Sequence, residues 1–256
     1  MKKQITNLIK NYVENYQKEN KVETIWREPI VKFASAKDEM FKKLKEVVNE
    51  EHFMPEDLLK EGETVVAFFI PFKKPIPDSN IKDYFSSRQW AYAYIETNTL
   101  IEELNKHIRI FLKEKGYQSA LVSPTHNFSE ETLMSYWSHR HAAYIAGMGT
   151  FGINNMLITE AGVAGRVGTL VTDIKIEPDE RTKTENCLYK YNGTCGVCVE
   201  KCQFGALSYD GFDRYRCYEI CMENDEHHDD LSLTDICGKC CVGLPCTYKN
   251  PNNIGG

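Results

Sequence analysis

Ten cysteines, all beyond residue 186, constrain this 256-residue chain more than any other feature. Four fall within CLYKYNGTCGVCVEKC, at Cys187, Cys195, Cys198 and Cys202; Cys217, Cys221, Cys237, Cys240, Cys241 and Cys246 follow. A long stretch without a thiol and a last quarter crowded with them imply two regions built on different chemistry. The start, MKKQITNLIKNYVENYQKEN, has no apolar run behind its lysines. Ile5, Leu8, Ile9, Tyr12, Val13 and Tyr16 recur there at helical spacing, which reads as an amphipathic helix and not a signal peptide. The longest apolar run, VVAFFIPF, is too short to span a bilayer. The chain is therefore expected to be cytoplasmic, with no membrane partner. Thiols stay reduced in that compartment, and clustered cysteines there more often hold metal than form disulfides.

Periodicity divides the first 180 residues into alternating elements. Residues 36–53 carry Met40, Phe41, Leu44, Val47 and Val48 on one helical face, and ETVVAFFIPF (63–72) reads as a strand buried on both faces. A long helix is expected over 88–115, stopped at Gly116, then a strand over 117–123 and a helix over 130–147 capped by Ser129. Residues 155–176 read as two strands joined through Gly162 and Gly165. The fold class expected is α/β (α+β), with a layered domain over 1–180 and a cysteine-rich domain over 181–256.

The cysteine spacing is Cys187-x7-Cys195-x2-Cys198-x3-Cys202, then Cys217 and Cys237-x2-Cys240-x5-Cys246. Bacterial ferredoxins use C-x2-C-x2-C-x3-C runs, in which the last cysteine of each run ligates the cluster of the other. By that logic Cys187, Cys195, Cys198 and Cys246 would hold one 4Fe-4S cluster, and Cys202, Cys217, Cys237 and Cys240 a second. Cys221 and Cys241 are left over, and either could displace Cys217 or Cys240. Structural zinc also uses C-x2-C pairs, but it calls for neither eight sulfurs nor the x3 step. A disulfide scaffold would need export, and ordinary buried cysteines would be scattered.

Glycines recur at 147, 149 and 152 in AGMGTFGINN, after an expected helix. That is the wrong context for a dinucleotide fingerprint. The stretch reads either as a plain turn or as backbone approaching a flat ligand. His139 and His141 flank Arg140 and cannot form an i, i+4 metal pair. His227 and His228, in CMENDEHHDD, read as part of a solvated face.

Together, AGMGTFGINNMLITEAGVAGRVGTLVTDI and the cysteine module resemble the epoxyqueuosine reductase family and its reductive-dehalogenase relatives, through GTFG, VAGR, CGKC and GLPC over residues 117–250. The resemblance implies a nitroreductase-like layered domain followed by a ferredoxin-like two-cluster domain. It also implies that cobalamin, a corrinoid, lies against Gly147, Met148, Gly149, Thr150, Phe151 and Gly152 and against Ala164, Gly165, Arg166, Val167, Gly168 and Thr169. The family's aspartate proton donor has no counterpart between Ser123 and Ala146, which leaves His139, His141, Tyr136 and Tyr144 as titratable candidates for that role. The family's helical-repeat extension does not follow the cysteines here, and the net charge of -6 supplies no basic stripe, so tRNA is not expected as a partner.

The implied function is an oxygen-sensitive oxidoreductase that passes electrons through two 4Fe-4S clusters to a corrinoid reducing a small electrophilic substrate. A low-potential ferredoxin or flavodoxin would be its electron donor. The alternatives are a non-catalytic ferredoxin-type electron carrier, a corrinoid-handling or reactivation protein, and a flavin enzyme in the same fold.

Overall fold

The computed structural model describes residues 1–252. Six strands form: β1 (Ile30–Ser35), β2 (Thr64–Pro71), β3 (Ser119–Leu121), β4 (Gly149–Phe151), β5 (Leu157–Thr159) and β6 (Gly165–Thr172). β1, β2, β6 and β3 make a four-stranded sheet in that order, and β4 and β5 make a separate hairpin. Every pairing is antiparallel, so the architecture is α+β.

The continuous apolar run of β2 explains why the sheet is covered twice. Val66, Phe68 and Ile70 point to one face and Val65, Ala67 and Phe69 to the other, and all are buried. On the first face lie α1 (Lys2–Glu19), through Ile5, Ile9 and Val13, and the long α2 (Arg88–Glu114), through Leu100, Ile101, Leu104 and Ile108. Ser87 caps α2 by accepting the Trp90 N–H at 3.1 Å. Gly116, at φ 84°, ends the helix in the left-handed conformation. The second face is covered by Phe41, Leu44 and Trp137 and by the short α3 (His139–Ile145).

Two expected helices are shorter than their periodicity implied. Residues 36–53 form only a 3-10 turn, Glu39–Phe41, and a single helical turn, Leu44–Val47; Val47 is exposed. Asp38 accepts the Met40 N–H and closes the first turn locally. Residues 130–138 are not helical either. Leu133 has φ 53°, Phe128 bridges Ser135, and the cap moves from Ser129 to Ser138. The Ser138 N–H in turn donates to His52 Nε2 at 3.0 Å, which fixes where α3 begins.

Beyond residue 186 the chain is mostly turns around α4 (Arg214–His227), capped by Asp213. This segment is tied to the sheet body through backbone. The Val163 N–H donates to the Cys246 carbonyl at 2.9 Å and the Ala164 N–H to that of Thr247 at 3.1 Å. Gly162, at φ 89°, makes the approach possible, since a Cβ there would lie 2.5 Å from the Thr247 carbonyl oxygen. His228 is buried, with Nε2 3.0 Å from the Ser86 carbonyl, and so leaves the solvated face expected; His227 is exposed, as expected, with its ring stacked on Phe85. Among the described residues no helix is long and apolar enough to cross a membrane.

Candidate functional site

The turns beyond residue 186 sort the thiols into two groups. Cys187, Cys195, Cys198 and Cys246 surround one small hollow, roofed by Leu188, Tyr189 and Leu244. Cys202, Cys217, Cys221, Cys237, Cys240 and Cys241 line a second, larger cavity of about 250 Å³. Cys246 thus stands with the three cysteines that precede it by about fifty residues, and Cys202 stands across with the later ones. The two leftover cysteines sit in the second group: Cys221 contacts Cys217 one helical turn away on α4, and the Cys241 sulfur lies 3.9 Å from that of Cys240. Among the described residues no three His, Cys, Asp or Glu side chains converge on a point suited to a single metal ion.

Electrostatics oppose a bare thiolate at several of these cysteines, whereas the contact with Cys221 lowers Cys217. Burial pushes the Cys198 and Cys246 thiols up to about 12, with neighbouring sulfurs adding to the rise, led by Cys240 of the other group for Cys198 and by Cys198 for Cys246. Burial likewise lifts Cys237 to about 12, and the contact with Cys241 raises Cys240. Thiolates at such positions need a cationic body among them to carry the charge. A four-iron cluster fits this donor set, because each group offers at least four sulfurs around a space rather than around a point.

Polar side chains from the sheet body hold the second group. Asn154 donates to the Cys240 carbonyl at 2.7 Å, and the fully buried Asn80 donates to that of Cys237 at 2.8 Å. Between these cysteines the buried Lys239 ammonium donates to the carbonyls of Asn80, Lys82 and Phe85 at 3.1, 2.7 and 2.9 Å. Asn80 carried no recognisable signal in the sequence, and Lys239 was legible only as part of the CGKC motif, without a role.

A third cavity, of about 260 Å³, adjoins the second and shares Met156, Val163, Gly165 and Arg166 with it. Asn154 is shared by the first hollow and the second cavity, so the three spaces run in series. Of the proposed proton donors only His139 reaches this third cavity. Its Nε2–H donates to the Ser123 carbonyl at 2.8 Å, so Nδ1 accepts from Thr169 Oγ1 at 2.8 Å. Thr169 accepts in turn from the Trp137 indole at 2.9 Å. Both ring nitrogens are spent, and burial depresses the imidazole to about 4. His139 is a neutral structural residue. His141 packs on Phe151 and bonds Ser138, Tyr136 stacks on Phe53, and Tyr144 packs on Phe151, all away from the cavity.

The glycine loop also differs from expectation. A Cβ on Gly147 would lie 2.3 Å from the Glu180 carbonyl oxygen, and one on Gly149 would lie 2.1 Å from that of Ile158. The close approach these glycines allow is therefore to the protein's own backbone. None of Gly147, Met148, Gly149, Thr150, Phe151 and Gly152 lines the third cavity; Gly152 borders the first cysteine hollow instead. Of the second segment, Gly165, Arg166 and Val167 do line it, whereas Ala164, Gly168 and Thr169 are buried in the body, Gly168 beneath Phe68. As a set, these residues do not fit a corrinoid cradle.

Residues that sequence patterning passed over stand where the second and third cavities meet. Tyr94, on α2, donates its hydroxyl to Asp235 at 2.5 Å, its ring lies under the Arg166 guanidinium at 4.5 Å, and burial lifts its phenol to about 12. Arg140, one residue into α3, lines the third cavity with Arg166.

No protein-family model matches the sequence, and no curated protein matches it. Solved structures do match in fold. One is a selenomethionine-labelled epoxyqueuosine reductase, 19% identical, with TM-score 0.57 over 94% of this chain and 66% of that one. A second is an epoxyqueuosine reductase with a modified tRNA stem loop, 20% identical, with TM-score 0.54 over 86% of this chain and 58% of that one. A third is a catabolic reductive dehalogenase, 16% identical, with TM-score 0.56 over 86% and 30%. The chain has the epoxyqueuosine reductase-like, reductive dehalogenase-related fold and spans about two thirds or less of the length of these matches. Because one of them was solved with tRNA, the expectation against a tRNA partner finds no support in the comparisons.

Proposed function

We propose that this chain is an iron–sulfur reductase. Its two cysteine groups would each hold a 4Fe-4S cluster and feed electrons, received from a low-potential ferredoxin or flavodoxin, to a reducible ligand in the third cavity. The observation that carries the reading is the series of spaces: four thiols around the first, six around the second, and a ligand-sized cavity sharing a wall with the second. Clusters supply one-electron transfer at potentials tuned by charge, hydrogen bonding and exposure. The protein's own part is to insulate the path with Leu207, Leu244 and Ile220, hold the second group through Asn80, Asn154 and Lys239, and orient the ligand beside Arg166. A plain electron carrier has no use for that last cavity, which is why the reductase reading is preferred over a carrier. No step passes through a corrinoid, because the loop meant to cradle one packs against the chain itself.

Anaerobic reconstitution tests this directly. The protein should take up about eight iron and eight sulfide per chain, as two four-iron clusters require. Cobalamin added to that form should leave its own spectrum and the cluster signals unchanged. A protein that binds only zinc would end the reading, and tight cobalamin binding would restore the corrinoid to it.

A further inference from the structure

The third cavity is lined by two positive charges. Arg140 and Arg166 both line it, and no carboxylate does. Neither guanidinium forms an ion pair among the described residues. Arg140 spends one nitrogen on the Asn155 carbonyl, at 2.8 Å, with Met156 sulfur at 3.0 Å. Arg166 has only the Tyr94 ring beneath it. The nearest acid, Asp235, already accepts the Tyr94 hydroxyl and faces His126 at 3.6 Å. Burial is what chiefly makes the Arg166 charge costly, with Arg140 adding a lesser repulsion, while Arg140 itself faces the sulfurs of Cys241, Cys240 and Cys217. Arg166 is half-buried and Arg140 exposed at the mouth, so most of their ten N–H donors are free to meet an anion entering the cavity. The rest of the wall includes Phe128, Met156 and Val167, which offer apolar surface and no competing charge.

We infer that Arg140 and Arg166 together bind an oxyanion, the carboxylate or phosphate of a small organic ligand whose apolar body lies against Phe128, Met156 and Val167. The planar forks of two arginines suit either oxyanion, where lysines would present only point charges. The size of the cavity, about 260 Å³, falls just under the range that drug-sized ligands fill, so the ligand is small. That this ligand is the molecule reduced rests on the function proposed above; that the anion binds there does not.

Titration calorimetry on the anaerobically reconstituted full chain tests the inference with three probes of similar body: benzoate, phenyl phosphate and the uncharged benzamide. At least one anion should bind, benzamide should not, and the preferred anion identifies the headgroup. Arg166→Gln and Arg140→Gln should each weaken that anion by about 10- to 100-fold, the usual worth of a charged hydrogen bond. Iron content and cluster spectra, read on the same samples, establish that the variants are folded. If either variant fails to fold, the salt dependence of wild-type binding decides: the anion should be lost steeply as chloride rises. Equal binding of benzamide and the anions, or anion affinity unchanged in a folded variant, overturns the assignment. So does a variant whose only change is a shifted cluster potential, because the guanidiniums would then be balancing cluster charge. Absence of iron together with retained anion binding would sink the reductase reading and leave the site standing.

Discussion

In β2, Val65, Val66, Ala67, Phe68, Phe69 and Ile70 are each 2% exposed or less, packed between helical layers. Beyond residue 186, the buried apolar side chains other than cysteine are Phe204, Ala206, Leu207, Ile220, Val242 and Leu244, strung between turns. Apolar burial near 25 cal/mol per Å² can hold the first region together without help. The second has too little such surface for its length and too many thiols to leave unligated. On the function proposed, the contrast implies that the sheet body would be a folded scaffold before any metal arrived, and that the cysteine region would take its order from the clusters its sulfurs hold.

The largest expected effect follows from removing that metal. Chelation under reducing conditions should collapse amide-exchange protection across α4 and the turns of 187–246, while β2, β6 and α2 stay protected. Protection that persists in both regions would show that the module folds on its own contacts. The converse is Phe68→Ala. This fully buried ring packs against Gly168, and its loss should cost about 3–5 kcal/mol in denaturant unfolding of the body. A cost under about 1 kcal/mol would mean that the body's core is not its source of stability.

A smaller effect belongs to pH. His139 is held neutral in the fold, its value lowered to about 4 by burial, against an unfolded value near 6.5. The unfolded chain therefore binds the extra proton between those values. The contribution is complete above about 6.5 and is lost as pH falls through 4, on the order of 3 kcal/mol at most. His139→Gln should flatten that slope of body stability against pH; an unchanged slope would assign the acid sensitivity to other groups. Smaller again is Gly149→Val, which pushes a branched side chain into the Ile158 carbonyl. It should destabilise the β4–β5 hairpin by about 1–3 kcal/mol and leave the iron content intact. A variant as stable as the wild type would show that the loop relaxes freely.

The same contrast separates what was legible in the sequence from what was not. β2, α1 and α2 were legible because long periodic or continuous apolar runs report burial directly. The x2 and x3 steps suggested which sulfurs stand together, but spacing leaves the four ligands of the second group open among six. Residues 36–53 misled because Val47 fits a helical face that the chain never completes after the Asp38 turn. Gly147 and Gly149 misled because a backbone close approach looks the same in sequence whether its partner is a ligand or the Glu180 and Ile158 carbonyls. Arg140, Tyr94 and Asp235 lie apart in sequence and gather around Arg166 only through tertiary packing. No local pattern marks such residues.

The central claim is that two separate sulfur groups, joined in crossed fashion, each hold a four-iron cluster. Iron analysis with electron paramagnetic resonance on Cys246→Ala, reconstituted beside the wild type, tests it most directly. Cys246 borders the hollow of Cys187, Cys195 and Cys198, whereas Cys237 and Cys240, its nearest ligand neighbours in sequence, border the other cavity. The account predicts that iron falls from about eight to about four and that one cluster signal disappears while the other keeps its line shape. Loss of both signals, or loss of the cluster bound by Cys237 and Cys240 alone, would contradict it.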